Sequence, residues 1–295
     1  DLTALQREAN RLCGYTALET LDTLQQLYEA KLVTYPRTDS RYIPEDMRQS
    51  AEGLLTGLAG LGLLPSDHQN DVGKVINNDE VRDHHALLPT KEVTPERMAK
   101  LTGKQRDILR LVISSLGRAT AEDYEYTSME ALFDVEGEAF KASGQLLLQS
   151  GWREYDEDLR QRLGRSEDKD KDEAVGENLL PRLHEGEVYP VQTMRTAEKQ
   201  TQPPKAYTED TLLAAMESAV RRVSDGGEIP DTAGLGTPAT RAGIIESVIR
   251  SGYLRRDGKK ILPNEMGKTL VSVVTEELRQ PELTAGWERS LSAIQ

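Results

Sequence analysis

Leu2, Leu5, Ala9 and Leu12 recur at helical steps of three and four, and this spacing predicts a first helix that Asp1 or Thr3 can cap and Gly14 can end. A second stripe, Leu18, Leu21, Leu24, Leu27 and Tyr28, predicts a helix from about Thr16 to Ala30 with Tyr28 on its apolar face. Leu32-Val33-Thr34-Tyr35 then reads as a short extended segment. Pro36 pushes Tyr35 toward the β region and blocks a helix through it. Pro44 with Glu45 and Asp46 suits the first turn of another helix, and a further one runs from Pro95 or Thr102 to Ala121.

From Asp123 to Trp152 the apolar period falls to two. Tyr124 to Val135 and Ala139 to Ser143 alternate on either side of Glu136-Gly137-Glu138, which predicts an antiparallel hairpin or meander. Glu187-Val188-Tyr189-Pro190-Val191 is expected to add an edge strand. Helices return after Gln202-Pro203-Pro204, one from Thr208-Glu209-Asp210 to about Val223 and one from Thr237-Pro238 to Ser251, ending at Gly252. Tyr253 to Leu262 follows as a hairpin with an Asp257-Gly258 turn. A helix followed by a basic hairpin is the pattern of a winged helix, a shape that non-binding domains also share. Trp287 to Ile294 is helical again.

The chain has 295 residues, enough for two or three domains. It contains no apolar run long enough for a membrane span and no secretory segment. Cys13 alone excludes an internal disulfide and a cysteine-built zinc site, and fits a reducing cytoplasm. The net charge of −13 argues at first against nucleic acid, but its distribution changes that reading. From Tyr155 to Asn178 there are nine acidic and five basic residues and few apolar ones, the composition of a solvated insertion. From Gly236 to Leu262 Arg241, Arg250, Arg255, Arg256, Lys259 and Lys260 face only Glu246 and Asp257. The opening residue is not methionine and the last helical pattern has no stop signal, so the chain reads as a piece of a longer protein.

Three segments could carry chemistry. Val33 to Ser40 places a phenol, a guanidinium, a carboxylate and hydroxyls side by side. Tyr35 can form a covalent ester and Arg37 can hold a phosphate, although the same residues suit a strand end turning into a loop. A free phenol is mostly protonated at neutral pH, so attack needs a base or a cationic neighbour. Arg37 can also neutralise the charge of a five-coordinate phosphoryl transition state. In Asp83 to Thr90, His84 and His85 can donate to phosphate oxygens or simply occupy a loop. With His68 and His184 in weak context, a metal site is not indicated. In Gly234 to Arg241, a helix start with two threonine hydroxyls and an arginine could dock an anion or be an ordinary capped helix. It lacks the lysine of a nucleotide P-loop.

Taken in order, these segments resemble the type IA DNA topoisomerases, most closely the bacterial topoisomerase III branch. The matching pieces are the Leu2-to-Asn10 helix, Tyr35-Pro36-Arg37-Thr38-Asp39-Ser40-Arg41-Tyr42 and His84-His85-Ala86-Leu87-Leu88-Pro89-Thr90. Pro203-Pro204-Lys205-Ala206-Tyr207-Thr208-Glu209 and Gly234-Leu235-Gly236-Thr237-Pro238-Ala239-Thr240-Arg241-Ala242 complete the set. Each is weak alone; the ordered set spans nearly the whole chain and is specific.

The resemblance implies a multidomain α+β fold, part of a toroid. Residues 1–121 would be a helical, winged-helix-like domain carrying the tyrosine. Residues 122–200 would be an antiparallel β arch with an acidic insertion near 155–178, and 201–295 a helical base with a winged-helix-like unit. It implies that Tyr35, Arg37 and His84 are catalytic: Tyr35 would cleave single-stranded DNA through a 5′-phosphotyrosine, without ATP, and reseal it after a strand has passed. Thr38, Asp39, His85, Gln6, Arg7, Thr237, Thr240 and Arg241 would be DNA-binding, Thr38 and Asp39 by ordering the site. The family's Mg²⁺ would be held by an N-terminal Toprim domain whose Asp-x-Asp pair does not open this chain, so no cofactor or metal is expected here and the isolated piece is expected to be inactive. Single-stranded DNA and that Toprim domain are the expected partners, of a monomer in the bacterial cytoplasm at the nucleoid. The rival readings are a non-catalytic winged-helix DNA-binding protein, with Tyr35 structural, and a scaffold that recruits partners through its acidic stretch.

Overall fold

The computed structural model describes residues 1–66, 69–165, 180–181, 183–222, 234–292 and 294. The first region is helical. α1 (Leu2–Cys13) is capped by the Asp1 carboxylate, which accepts from the Ala4 amide at 2.7 Å, and ends at Gly14 in the left-handed conformation. α2 (Ala17–Glu29) opens on a capping box in which Thr16 and Glu19 each take the other's amide. Glu45–Met47 forms a 3₁₀ turn into α3 (Arg48–Gly60), and Val72–Val75 forms another. Pro95 and Thr102 both start helices. Thr94 caps α4 (Pro95–Ala99), the chain breaks, and Thr102 caps α5 (Gly103–Thr120). α5 is the axis of this region. Ile108, Leu109, Leu111, Val112, Ile113 and Leu116 are all buried on it, against Leu5 and Ala9 of α1 and Leu24 and Leu27 of α2.

Two strands leave this core and return to it. β1 (Glu125–Val135) and β2 (Glu138–Gln149) pair antiparallel, with Phe133 opposite Phe140 and Val135 opposite Glu138. Glu136 (φ 54°) and Gly137 (φ 87°) both take the left-handed backbone that a tight hairpin with matching twist requires. Tyr126, Met129, Leu132, Phe140 and Leu148 remain exposed on the ribbon. The expected edge strand at residues 187–191 does not form. Tyr189 meets Phe133 ring to ring at 6.1 Å, but Pro190 has no amide to give a ladder and the segment lies outside any strand and exposed.

The acidic stretch is not solvated from its beginning, as its composition suggested. Residues beyond 165 in it lie outside the described residues, but its start is α6 (Arg153–Arg162), whose Tyr155 and Leu159 are buried against α5. Gly117 leaves the space that the Tyr155 ring fills, and the Tyr155 hydroxyl meets Asn70. Two apolar residues a turn apart were enough to dock a helix that is otherwise charged.

The last region contains α7 (Glu209–Arg222), α8 (Pro238–Arg250), β3 (Leu254–Asp257), β4 (Lys260–Pro263), α9 (Glu265–Val273), α10 (Glu276–Arg279) and α11 (Glu282–Ser292). β3 and β4 form the hairpin around Gly258, and Thr208 bridges to Lys260 on its free edge. Leu213 and Met216 of α7, Ala242 and Ile245 of α8 and Ile261 of β4 form a second core, closed by Ala17 from α2. α1 and α2 therefore face α7 and α8 directly. Arg7 pairs with Asp210 at 2.9 Å, and the Glu209 carboxylate accepts from the Ala17 amide at 2.6 Å. None of the described helices is long and apolar enough to cross a membrane.

Candidate active site

The Tyr35 segment owes its shape to two short ties. Lys31 (φ 60°) ends α2 in the left-handed conformation, and the Leu32 amide donates back to the Leu27 carbonyl at 2.9 Å, so the chain reverses within one turn. Val33 then bridges antiparallel to Pro89, with the Thr34 amide donating to the Leu88 carbonyl at 2.9 Å and the Thr90 amide to the Leu32 carbonyl at 3.0 Å. This pairing brings the Tyr35 and His84 segments together across about fifty residues of sequence.

Beyond Tyr35 the side chains alternate. Pro36, Thr38 and Ser40 are buried, while Tyr35, Arg37 and Asp39 point to solvent. Tyr35 is 38% exposed. Its ring centroid lies 4.2 Å from that of His84 at a tilt of 36°, and 5.8 Å from that of Tyr28, nearly perpendicular. Among the described residues nothing hydrogen-bonds the Tyr35 hydroxyl and no carboxylate pairs with Arg37. The phenol, the guanidinium and the exposed His84 ring are thus available to an incoming group, and their neighbours hold the rings rather than the polar atoms.

Thr38 behaves differently from a DNA contact. It is buried, its hydroxyl donates to the His84 carbonyl at 3.2 Å and accepts from the Ser40 amide at 3.1 Å, and its carbonyl accepts from the Leu2 amide at 3.0 Å. One threonine therefore locks the tyrosine loop to the histidine loop and to the start of α1. It ties these segments together from inside the fold and does not face solvent. His85 is half-buried, with Nδ1 2.8 Å from the Ala86 carbonyl, so that nitrogen must carry the proton to donate there. Asp39 lines a polar recess of about 260 Å³ with Asp1, Arg41, Glu80, Arg82 and Glu217.

The remaining candidates are scattered. Gln6, expected in a DNA groove, is fully buried and its amide donates to the Ala17 carbonyl at 3.0 Å. The apolar step of α1 turns that position inward, and a glutamine amide can serve as the interior tie between α1 and α2. Arg7 is spent on Asp210. Arg241, expected at a DNA surface, is 1% exposed and donates to the Thr3 hydroxyl at 3.0 Å and the Leu235 carbonyl at 3.3 Å. The Thr237 and Thr240 hydroxyls are exposed but lie 3.1 Å apart, bonded to each other at the start of α8. Of the basic hairpin, Arg256 folds onto Glu209 and Glu246, and Lys259 donates to the Arg11 carbonyl at 3.1 Å. Arg250, Arg255 and Lys260 remain exposed. Carboxylates took up Arg256, and carbonyl and hydroxyl oxygens took up Lys259 and Arg241, which a count of basic residues along the chain does not anticipate.

Sequence reasoning missed Tyr28. It was assigned to the apolar face of α2, but it lies at the rim, exposed beside Tyr35. Cys13 is free, and burial first, then Asp107, pushes its thiol up to about 11, which leaves it unreactive. Among the described residues no three His, Cys, Asp or Glu side chains converge as a metal site.

Comparison with known proteins bears on what this arrangement serves. A family model described as DNA topoisomerase matches residues 1–295. DNA topoisomerase 3 of Bacillus subtilis (strain 168) is 36% identical over 310 residues, covering 100% of this chain and 41% of that protein. DNA topoisomerase 3 of Bacillus anthracis is 36% identical over 308 residues, with the same coverage. Among solved structures, full-length topoisomerase I from Thermotoga maritima superposes with a TM-score of 0.69 at 22% identity, over 100% of this chain and 45% of that one. The chain thus spans 41% of the length of the curated relatives it matches.

Proposed function

The chain belongs to the DNA topoisomerase family, and on that premise we propose that it carries the cleaving tyrosine of a type IA enzyme. The observation that supports this most directly is Tyr35 itself. Its ring is gripped by His84 and Tyr28, its hydroxyl is unbonded among the described residues, and Arg37 stands free two residues on.

In the proposed step the Tyr35 hydroxyl oxygen attacks a phosphorus of single-stranded DNA. The phosphorus–oxygen bond to the 3′ side breaks, the phenol gives up its proton to solvent while the 3′ oxygen takes one up and leaves as a hydroxyl, and the 5′ end stays on Tyr35 as a phosphotyrosine. Arg37 neutralises charge on the non-bridging oxygens, and His84 binds the same phosphate. One phosphoester replaces another, so the reverse attack by the 3′ hydroxyl reseals the strand without ATP. Thr38 fixes the distance between the tyrosine and histidine loops, and Asp39 borders the recess beside them.

The domain reading goes with this proposal: residues 1–121 as the tyrosine domain, a β arch built on β1 and β2, and 201–295 as a winged-helix-like base. α6 is assigned to the first of these, since its buried residues share that core. Mg²⁺ would be held by a Toprim domain outside these residues, and no step above passes through it. The expected setting is a monomer at the bacterial nucleoid. The isolated 295 residues are expected to leave supercoiled plasmid unrelaxed, and relaxation by them would refute this division of labour. A non-catalytic DNA-binding role is not favoured, because residues 1–295 match the DNA topoisomerase family and Arg241 is buried on Thr3.

The test is covalent trapping. The full-length protein, incubated with an end-labelled single-stranded oligonucleotide and quenched with detergent, should give a protein–DNA adduct on a denaturing gel. Tyr35→Phe should abolish it. An adduct that survives the substitution sinks the assignment.

A further inference from the structure

We infer that Tyr28 is a positioning residue for Tyr35, setting the orientation of the phenol before attack; this rests on the reading of Tyr35 as nucleophile. Tyr28 sits in the last turn of α2, where Leu24 and Leu27 are completely buried and it is not. Its own carbonyl accepts from the Lys31 amide at 2.8 Å, in the turn that sends the chain back toward Tyr35. Its backbone is therefore anchored to the same turn that starts the tyrosine segment, and the two rings share one rigid support.

Two ring contacts define the Tyr35 side chain. His84 lies against it at 4.2 Å, tilted by 36°, and Tyr28 meets it at 5.8 Å, close to perpendicular at 88°. A tyrosine ring has two soft torsions. A tilted stack still lets the ring slide and swing in its own plane, and a second ring meeting Tyr35 edge to face restricts that freedom. Among the described residues the Tyr28 hydroxyl makes no hydrogen bond, so the ring is what acts on Tyr35. The predicted consequence is selective: removing the ring should slow the chemical step without weakening DNA binding, because attack depends on geometry that binding does not.

The experiment is single-turnover cleavage of an end-labelled single-stranded oligonucleotide by the full-length protein, with Tyr28→Leu, Tyr28→Phe and Tyr35→Phe run beside the unsubstituted protein and each melted to confirm folding. Tyr28→Leu should lower the cleavage rate at saturating oligonucleotide roughly ten- to a hundredfold, leaving the half-saturating concentration unchanged. Tyr28→Phe should restore the rate to within about twofold, since it keeps the ring. Three results overturn the inference: Tyr28→Leu cleaving at the unsubstituted rate, Tyr28→Phe falling as far as Tyr28→Leu, or a loss confined to the half-saturating concentration, which would make Tyr28 a DNA contact. Failure of the underlying reading looks different, as an adduct that persists in Tyr35→Phe.

Discussion

Two stretches of this chain follow one local plan and end differently. In the first, α1 and α2 are followed by Lys31 in the left-handed conformation and an extended segment ending at Tyr35. In the second, α7 and α8 are followed by Gly252 in the same conformation (φ 78°) and by β3. The first extended segment bridges to a distant segment, at Pro89, and continues past Pro36 into a loop from which Tyr35, Arg37 and Asp39 face out, the phenol and the guanidinium without a partner among the described residues. The second turns at Gly258 and pairs with itself as β4, and its central arginine, Arg256, is drawn onto Glu209 and Glu246. A helix pair with a reversing residue is therefore only a support. The proposed chemistry falls to the copy whose phenol and guanidinium have no partners among the described residues.

The sharpest way to break this contrast is to remove one arginine from each unit. Arg37→Ala should cut adduct formation by roughly a hundredfold or more while leaving the unfolding midpoint in place, since it pairs with nothing among the described residues. Arg256→Ala should lower stability by roughly 2–4 kcal/mol in urea unfolding, because the buried Glu209 carboxylate loses its counter-charge and keeps only the Ala17 amide. If the two variants behave alike, the contrast is wrong.

A smaller effect is expected at the lock between loops. Thr38→Val keeps the shape but removes a hydroxyl that serves the His84 carbonyl and the Ser40 amide. The buried Ser40 amide and the His84 carbonyl then lack a bond, at a cost of about 1–3 kcal/mol measured by thermal unfolding, and cleavage should fall as well.

Exchanging the reversing residues tests whether the shared plan is real. Gly252→Ala should destabilise by about 1–2 kcal/mol, as a left-handed residue acquires a Cβ, and the Met266 methyl must move to admit it. Lys31→Gly, at the matching position, should be neutral or stabilising by less than about 1 kcal/mol, since relief of strain is offset by a freer unfolded chain.

The weakest difference is in pH response at the second helix of each unit. α2 opens on Glu19, whose carboxyl is held below the ordinary value first by the Lys104 ammonium bonded to it and then by the Thr16 amide. α8 opens on two neutral hydroxyls. A carboxyl lowered in the folded state contributes stability that is complete above its unfolded value, about 4.3, and disappears as pH falls through the folded one. Glu19→Gln should therefore flatten the acid limb of the stability curve by less than about 1 kcal/mol, because the pair is half exposed. Thr240→Val should leave that limb unchanged.

What the sequence determined by itself was largely local. The caps at Asp1, Thr16 and Thr102, the stop at Gly14 and the Glu136-Gly137 hairpin follow from backbone preferences that neighbouring residues settle among themselves. The order of the motifs pointed to the tyrosine for the same reason: it is a pattern along the chain. Partnership was decided in three dimensions. Arg241 and Arg256 could be read as a DNA surface until Thr3, Glu209 and Glu246 came within reach. Gln6 could line a groove until α1 turned it toward Ala17, and Tyr155 could belong to a solvated stretch until Gly117 made room for it. A charge or an aromatic ring is spent or available according to groups that lie tens or hundreds of residues away in the chain. Periodicity carries no information about those meetings, so only the tertiary structure could show that the Tyr35 hydroxyl and Arg37 have no partner among the described residues and that Tyr28 stands beside Tyr35.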